Sequence, residues 1–275
     1  DNNQRDTEKK IDISKRENKA KAFVSIMEGC DNYCSYCIVP FARGPEVSRP
    51  VSIIIDEIKR LVDDGVKEVM LLGQNVNSYK LRVMSYESKA KIGFVKLLEE
   101  INKIKGLERI RFMTSHPKDA SLELFTAMRD LEKVCEHLHL PVQSGSSRIL
   151  KLMNRIYTCD DYLRKIDSLR KIVKDCAVTT DIIVGFPSEN EKDFNETVKL
   201  MREVGFDNAF IFKYSTRKGT KAALLKDDVE DEIKQQRNQI MLKLQGEISR
   251  KKNEVLIGKT HELLIEGANK KNKQE

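Results

Sequence analysis

AFVSIMEGCDNYCSYC, residues 22–37, runs an apolar strand straight into three cysteines, Cys30, Cys34 and Cys37. The spacing C-x3-C-x2-C delivers three thiolates from one short loop. A structural zinc site closes with four ligands. A cubane iron–sulfur cluster has four irons, so three cysteines leave one iron open to a small molecule. Tyr36, between the last two cysteines, is placed to shield such a cluster and to pack on a flat ligand. The alternative is half of a zinc site, with a fourth ligand from Cys135, Cys159, Cys176 or one of the four histidines.

The pattern that opens at Ala22 repeats along the chain. Apolar runs are expected as strands over Ala22–Glu28, Glu68–Gly73, Arg109–Ser115, His137–Gln143, Val178–Phe186 and Ala209–Tyr214. Helical-period segments alternate with them over Ser52–Asp64, Phe94–Ile104, Ser121–Leu131, Ser146–Val173 (in two pieces), Glu191–Val204 and Val229–Leu256. Repeated β-then-α units predict a parallel sheet with right-handed crossovers. Short apolar strands without alternation predict burial on both faces. No G-x-G-x-x-G follows the first strand, which disfavours a dinucleotide-binding sheet. Polar groups at nearly every strand end favour a barrel, whose strand ends converge on one site. Six units are too few for a closed eight-fold barrel, so the expected fold is α/β, a partial (βα)6 barrel over residues 22–256. Residues 1–21 read as a polar linker or tail, and 257–275 as one further strand, Thr260–Gly267, opening a small β-domain that is cut off.

Hydrophobic residues make up 40% of the 275 and charged residues 34%, the composition of a soluble globular protein. No apolar run approaches the roughly 18–20 residues of a membrane helix, and the first twenty residues are too polar for a secretory signal. The six cysteines show no framework of paired spacings, so a reducing, cytoplasmic setting is expected. A net charge of +7 permits a polyanionic partner without demonstrating one.

The strand ends supply the remaining candidates. Beyond the cysteines, Arg43 and Arg49 are set to grip phosphate, or else to staple their loop by internal ion pairs, for example to Glu46. The second strand ends at Gly73, Gln74 and Asn75, where glycine permits close backbone approach and the amides suit an ammonium or carboxylate. The third ends in Ser115 and His116, the fourth in Gln143, Ser144 and Ser146, with Ser146 a candidate helix cap. His137 and His139 share one strand face and are read as packing residues. Asp181 is costly to bury unpaired, and Arg155 is one candidate partner. Gly185 and Phe186 present a backbone edge and a flat ring to an adenine. Lys213 lies at the end of the sixth strand and Arg217 in the basic loop that follows, and Lys80–Ile92 sets Lys80, Arg82, Lys89 and Lys91 against Glu87.

The cysteine spacing resembles the radical S-adenosylmethionine superfamily. Several motifs in order are similar to its methylthiotransferase family: EGCDNYCSYCIVPFARG, LLGQNVNSY, RIRFMTSHP, HLHLPVQSGSSRILKLMNR, TTDIIVGFPSENEKDF and YSTRKGTKAA. The resemblance covers Ala22 to about Leu256, and GQNVNSY with PEVSRP looks most like the branch acting on N6-isopentenyladenosine beside the tRNA anticodon. Branches acting on threonylcarbamoyl-adenosine or a ribosomal protein are less similar there.

The resemblance implies a [4Fe-4S] cluster on Cys30, Cys34 and Cys37, with S-adenosylmethionine chelated at the open iron. It implies contacts to that cofactor from Tyr36, Gly73, Gln74, Asn75, Ser115, His116, Gln143, Ser144, Arg155, Asp181, Gly185 and Phe186, and to tRNA from Arg43, Arg49, Lys213 and Arg217. Reductive cleavage of S-adenosylmethionine would give a 5′-deoxyadenosyl radical that removes an adenine ring hydrogen. The electron would come from a donor such as a flavodoxin or ferredoxin, and the protein is expected as a monomer. The sulfur would come from an auxiliary [4Fe-4S] cluster on three further cysteines, which Cys135, Cys159 and Cys176 do not replace. The resemblance also departs at Ser188, where family members usually carry glycine, so a turn needing positive φ would be strained. A zinc-stabilised nucleic-acid-binding module is the non-enzymatic alternative.

Overall fold

A computed structural model describes residues 19–82 and 91–267 of the protein. Six strands carry the fold: β1 (Lys21–Ser25), β2 (Glu68–Leu72), β3 (Arg109–Phe112), β4 (His137–His139), β5 (Ala177–Val184) and β6 (Asn208–Lys213). β1, β2 and β3 pair in parallel, as do β4, β5 and β6. The two halves join where Ile110 of β3 bridges Val134, with the Ile110 amide donating to the Lys133 carbonyl at 2.7 Å. Among the described residues β1 and β6 do not pair with each other. The result is the expected partial (βα)6 barrel, open between its first and last strands.

The helices lie between the strands in sequence: α1 (Val51–Asp63), α2 (Phe94–Asn102), α3 (Leu122–Asp130), α4 (Ser147–Leu152), α5 (Cys159–Ile172) and α6 (Glu191–Val204). Helix α7 (Asp231–Glu254) packs on β5 and β6. Capping residues fix two starts: Thr158 and Asn190 each form a reciprocal capping box with an aspartate three residues on, Asp161 and Asp193. The α6 helix stops at Gly205, whose φ of 58° is the left-handed turn that glycine tolerates.

Alternation explains how one sheet serves two environments. Along β5, Val178, Thr180, Ile182 and Val184 are buried, while Ala177, Thr179, Asp181 and Ile183 are partly exposed. The buried set joins a core that includes Val24, Leu71, Ile110, Leu138, Ile166 and Met201. Each such Leu, Ile or Val contributes about 1.5–3 kcal/mol by leaving water. The strand ends leave the sheet irregularly. Thr114 (φ 70°) and Gln143 (φ 72°) take the left-handed region just past β3 and β4, and Tyr33 (φ 47°) does so inside the cysteine loop. Such backbone is costly for non-glycine residues and concentrates at working sites.

Three expectations need correction. The Ala22–Glu28 run is not one strand: β1 ends at Ser25, and Met27–Glu28 pairs antiparallel with Val47–Ser48. Thr260–Gly267 forms no strand; it is irregular and largely exposed, and no strand among the described residues pairs with it. Ser146 does not cap its helix through its side chain, since its hydroxyl donates instead to Asp193 at 2.7 Å. In the Lys80–Ile92 loop, Lys80–Arg82 pairs antiparallel with Lys91–Gly93. Glu87 and Lys89 lie outside the described residues, as do residues 1–18 of the expected tail and 268–275 at the other end.

Candidate cofactor site

The cysteine loop is tied to its surroundings through the backbone. Gly29 (φ 77°) opens it, and the Cys30 amide donates to the Gly44 carbonyl at 3.2 Å. The Cys37 amide closes a turn on the Cys34 carbonyl at 3.0 Å. Between them, Ser35 anchors the loop to the end of α4: its amide reaches the Met153 carbonyl at 2.9 Å and its hydroxyl the Leu152 carbonyl at 2.8 Å. Asn154 adds a bond from Nδ2 to the Tyr33 carbonyl at 2.8 Å.

All three thiols are free. Burial pushes the Cys30 and Cys37 thiols up, and the charge of Cys34 pushes both the same way. Cys30 and Cys37, held protonated in this way, suit a cation, since ligation requires thiolates. Among the described residues no three His, Cys, Asp or Glu side chains are arranged to hold a single metal ion. A cubane makes a different demand, because each thiolate takes its own iron.

Arg155 is the cation beside this set. Its Nη1 donates to Cys34 Sγ at 3.4 Å, its Nη2 to the Pro141 carbonyl at 2.8 Å and its Nε to Tyr157 Oη at 2.9 Å. Its guanidinium also lies 5.4 Å from the Tyr157 ring centroid. Burial opposes its charge, but Tyr36, Tyr157 and Cys34 outweigh burial and hold its pKa above the ordinary arginine value. Tyr36 packs on a small apolar cluster of Ile149, Met153, Phe186, Tyr214 and Ala222. Burial lifts its phenol pKa well above the usual value. His116 stands edge-on to Tyr157, with ring centroids 5.7 Å apart. Burial, then the charges of Arg155 and Lys118, take its pKa down to about 2, so it is a neutral imidazole. Its Nδ1 accepts from the Lys118 amide at 3.2 Å, a structural role.

The ends of β2 and β3 form a second polar group. Asn75 is fully committed: Nδ2 donates to Asp119 at 2.7 Å and Oδ1 accepts from the His116 amide at 3.1 Å. Ser115 donates to Asn77 Oδ1 at 2.9 Å. Two buried atoms there have no partner, Gln74 Oε1 and Asn77 Nδ2. A buried amide oxygen and a buried amide nitrogen left unpaired suit a ligand carrying both an ammonium donor and a carboxylate acceptor. Asn77 was not singled out from sequence; only its place in the GQNVN run pointed to it.

The other candidates have partners within the protein. Gly73 makes room for Met27, whose Cγ would lie 2.5 Å from an added Cβ. The Gly185 amide is taken by the Glu189 carboxylate, and an added Cβ would meet Lys234 Cγ at 2.3 Å. Phe186 is fully buried edge-on to Tyr214, at 5.2 Å, so its ring face is spent on packing. Ser144 serves its own loop, accepting from the Ser146 amide at 3.1 Å. Gln143 splices β4 to β5: its amide donates to the Asp181 carbonyl and its carbonyl accepts from Ile183, each at 2.9 Å. Arg49 is the internal staple, but to Glu57 at 2.6 Å and to the Ser25 carbonyl rather than to Glu46. Asp181 pairs with His139 at 3.5 Å, not with Arg155. His137 and His139 both hydrogen-bond Thr179 Oγ1, at 3.2 and 2.9 Å, which bears out their packing role. Lys213, the last residue of β6, and Arg217 beyond it are exposed, and Arg43 is exposed at the end of the short helix Val39–Arg43.

An open parallel barrel with three thiols at the end of its first strand defines a class. The Radical SAM superfamily model matches residues 24–201, and the chain belongs to that superfamily. Its cofactors are accordingly a [4Fe-4S] cluster and S-adenosylmethionine, which fit the three free thiols and the two orphaned amide atoms. Solved structures share the fold at low identity. Coproporphyrinogen III oxidase from Escherichia coli superposes with a TM-score of 0.57 at 15% identity, covering 86% of this chain and 54% of that one. Methylornithine synthase gives 0.55 at 16%, covering 84% and 63%.

Among curated proteins, the tRNA-2-methylthio-N(6)-dimethylallyladenosine synthase of Caldicellulosiruptor saccharolyticus is 56% identical over 262 residues, covering 95% of this chain and 54% of that protein. The protein of the same name from Acetivibrio thermocellus is 51% identical, covering 94% and 52%. The chain spans about half the length of these relatives. No helix among the described residues is long and apolar enough to cross a membrane.

Proposed function

We propose that this chain is the cluster-bearing catalytic part of a tRNA methylthiotransferase acting on N6-isopentenyladenosine next to the anticodon. The observation that carries this is the 56% identity over 95% of the chain to a protein named for that reaction. The bound cluster and S-adenosylmethionine supply radical chemistry able to break an adenine ring C–H bond, which acid–base groups cannot do.

The chain's own residues have definable parts in this reading. Cys30, Cys34 and Cys37 hold the cluster, and the Ser35 anchors fix the loop against α4. Gln74 and Asn77 orient the amino-acid end of S-adenosylmethionine. Tyr36, in its apolar cluster, screens the site from water. Arg43, Lys213 and Arg217, all exposed, meet tRNA phosphates. The target base leaves its stack to enter the barrel, as bases modified on a ring atom must. Cys135, Cys159 and Cys176 lie apart, in the β3–β4 connection, on α5 and just before β5. The sulfur-donating auxiliary cluster is therefore assigned to the part of the relatives that this chain does not match.

One exchange tests the proposal. The matching segment of the Caldicellulosiruptor relative is replaced by this chain, and tRNA nucleosides are analysed by mass spectrometry in a host lacking the modification. The methylthio group is expected on isopentenyladenosine. Its appearance only on threonylcarbamoyl-adenosine, or on a ribosomal protein, would overturn the substrate assignment.

A further inference from the structure

We infer that the surface beside the cysteine loop is the docking site of an acidic electron-carrier protein, which delivers one electron to the cluster there. This rests on the superfamily assignment and not on the tRNA substrate.

Three segments meet around the loop. The Ala222 amide donates to the Ser35 carbonyl at 2.7 Å, Ser35 in turn bonds the Leu152 and Met153 carbonyls, and Asn154 holds the Tyr33 carbonyl. Residues 32–45, 147–159 and 213–226 thereby adjoin one another. They carry nine lysines and arginines and no acid, in a chain with 43 acids among 275 residues. Arg148 is paired with Asp193, and Arg155 is buried. Lys151, Lys218 and Lys221 are exposed, and none makes an ion pair or side-chain hydrogen bond among the described residues. The middle of the same surface is apolar. Tyr33 and Phe41 stand edge-on with ring centroids 6.2 Å apart, and both are exposed. Leu152, Ile156 and Leu224 are exposed too, Ile156 by 73% and Leu224 by 87%.

Exposed apolar side chains rimmed by charge mark a surface for a partner. Nucleic acids are gripped through cations and stacked rings; exposed Leu and Ile serve a protein instead. The unopposed lysines require that protein to be acidic, since complementary charge steers encounter. Position says what the partner does. Tyr33 adjoins Cys34 in the chain, so the patch begins one residue from a cluster ligand. The radical chemistry needs one electron from outside the chain, and a carrier must come close to hand it over. The carrier is oxidised by one electron and the cluster reduced by one, with no bond formed or broken. Electron-transfer encounters are small and weak, and a few apolar side chains inside a lysine rim suit so brief a contact.

The probes are a reduced bacterial flavodoxin and an anticodon stem-loop RNA carrying isopentenyladenosine. They are tested on the whole chain, anaerobically reconstituted, as parent, as the triple variant Lys151→Glu, Lys218→Glu, Lys221→Glu, and as the double variant Ile156→Ser, Leu224→Ser. Flavodoxin affinity is measured across salt concentrations, beside the rate of cluster reduction in stopped flow. The triple variant is expected to bind flavodoxin at least tenfold more weakly, with a flatter salt dependence, and to be reduced by it more slowly. The double variant is expected to release flavodoxin faster at unchanged salt dependence. With dithionite as reductant, both variants should form 5′-deoxyadenosine at the parent rate; equal slowing there would place these side chains in the cofactor site and overturn the inference. A parent that does not bind flavodoxin overturns it, as does unchanged binding in both variants. Loss of stem-loop affinity alone makes this an RNA surface instead. Binding that vanishes when the chain is set into the Caldicellulosiruptor relative shows the face covered by the rest of the protein, which overturns it too. Flavodoxin binding is also read before iron is added, so failure to take up iron counts against the superfamily assignment alone.

Discussion

Gly29 lies directly against Pro45: a Cβ added to Gly29 would sit 2.0 Å from the Pro45 carbonyl oxygen. This contact closes the cysteine loop back on the segment after Arg43, and Gly29 also holds φ at 77°. For an L-residue that backbone alone costs about 1–2 kcal/mol, and the clash adds to it. Gly29→Ala is expected to lose most of the bound iron while the barrel still folds. Iron and sulfide assays beside circular dichroism check this; full iron content in the variant would contradict it.

Gln74 Oε1 and Asn77 Nδ2 are buried without partners until a ligand arrives. A hydrogen bond to a charged group is worth about 1.5–3 kcal/mol. Gln74→Ala is therefore expected to weaken S-adenosylmethionine binding at least tenfold without reducing cluster content. Equilibrium dialysis on the reconstituted protein measures it, and unaltered affinity would remove Gln74 from the site.

Arg49 and Glu57 form a largely buried ion pair at 2.6 Å. Removing one partner strands the other, which costs about 3–5 kcal/mol. Glu57→Ala is expected to destabilise the chain by that order in denaturant titration. A loss below about 1 kcal/mol, the range of exposed pairs, would place Arg49 in solvent, where a phosphate role becomes open again.

Two histidines make stability depend on acid. Burial, followed by Arg155 and Lys118, lowers His116 from 6.5 to about 2, and burial, followed by Arg111, lowers His137 to about 4. Each binds fewer protons folded than unfolded, so its contribution is whole above pH 6.5 and is lost as pH falls. Both act down to about pH 4, and His116 alone below that. The pair should remove about 2.7 kcal/mol per pH unit well below the unfolded value. Denaturant titrations between pH 7 and 5 check the slope, and His116→Gln should about halve it.

Ser188 carries a left-handed φ of 69° at a turn held by the Asp228 carboxylate, which accepts from the Ser188 amide at 2.7 Å. The positive φ expected to strain a non-glycine residue here is thus present. Ser188→Gly relieves about 1–2 kcal/mol of backbone strain and gives back roughly 0.5–1 in unfolded-state freedom. A small rise in melting temperature is expected; a fall would show that the serine side chain stabilises the turn.

Much of this was legible in the chain. Six apolar runs separated by amphipathic segments announced the barrel, although only β2 is buried on both faces and β1, β3, β5 and β6 alternate or leave one face partly exposed. C-x3-C-x2-C announced the cluster loop, because ligand spacing within ten residues survives any packing. The pairings were less legible. Asp181 meets His139 rather than Arg155, and Arg49 meets Glu57 rather than Glu46, although each needed a partner from sequence alone. Tyr157, only two residues past Arg155, gave no sign that it would seat that guanidinium. Gly73, Gly185 and Phe186, expected beside the ligand, also pack against Met27, Lys234 and Tyr214, which no local pattern announced.

By itself, then, the sequence determined the order of the six main strands and their helices and singled out the three thiols that are candidates to hold a cluster. These follow from local periodicity and spacing. Only the tertiary structure decided that Arg155 points at Cys34, that Asn75 is consumed by Asp119 and His116 while Gln74 is left open, and that β1 and β6 stay apart. Each of those depends on which strand ends converge, and a buried charge or amide is partnered by what folding brings within about 3 Å, not by its neighbours along the chain.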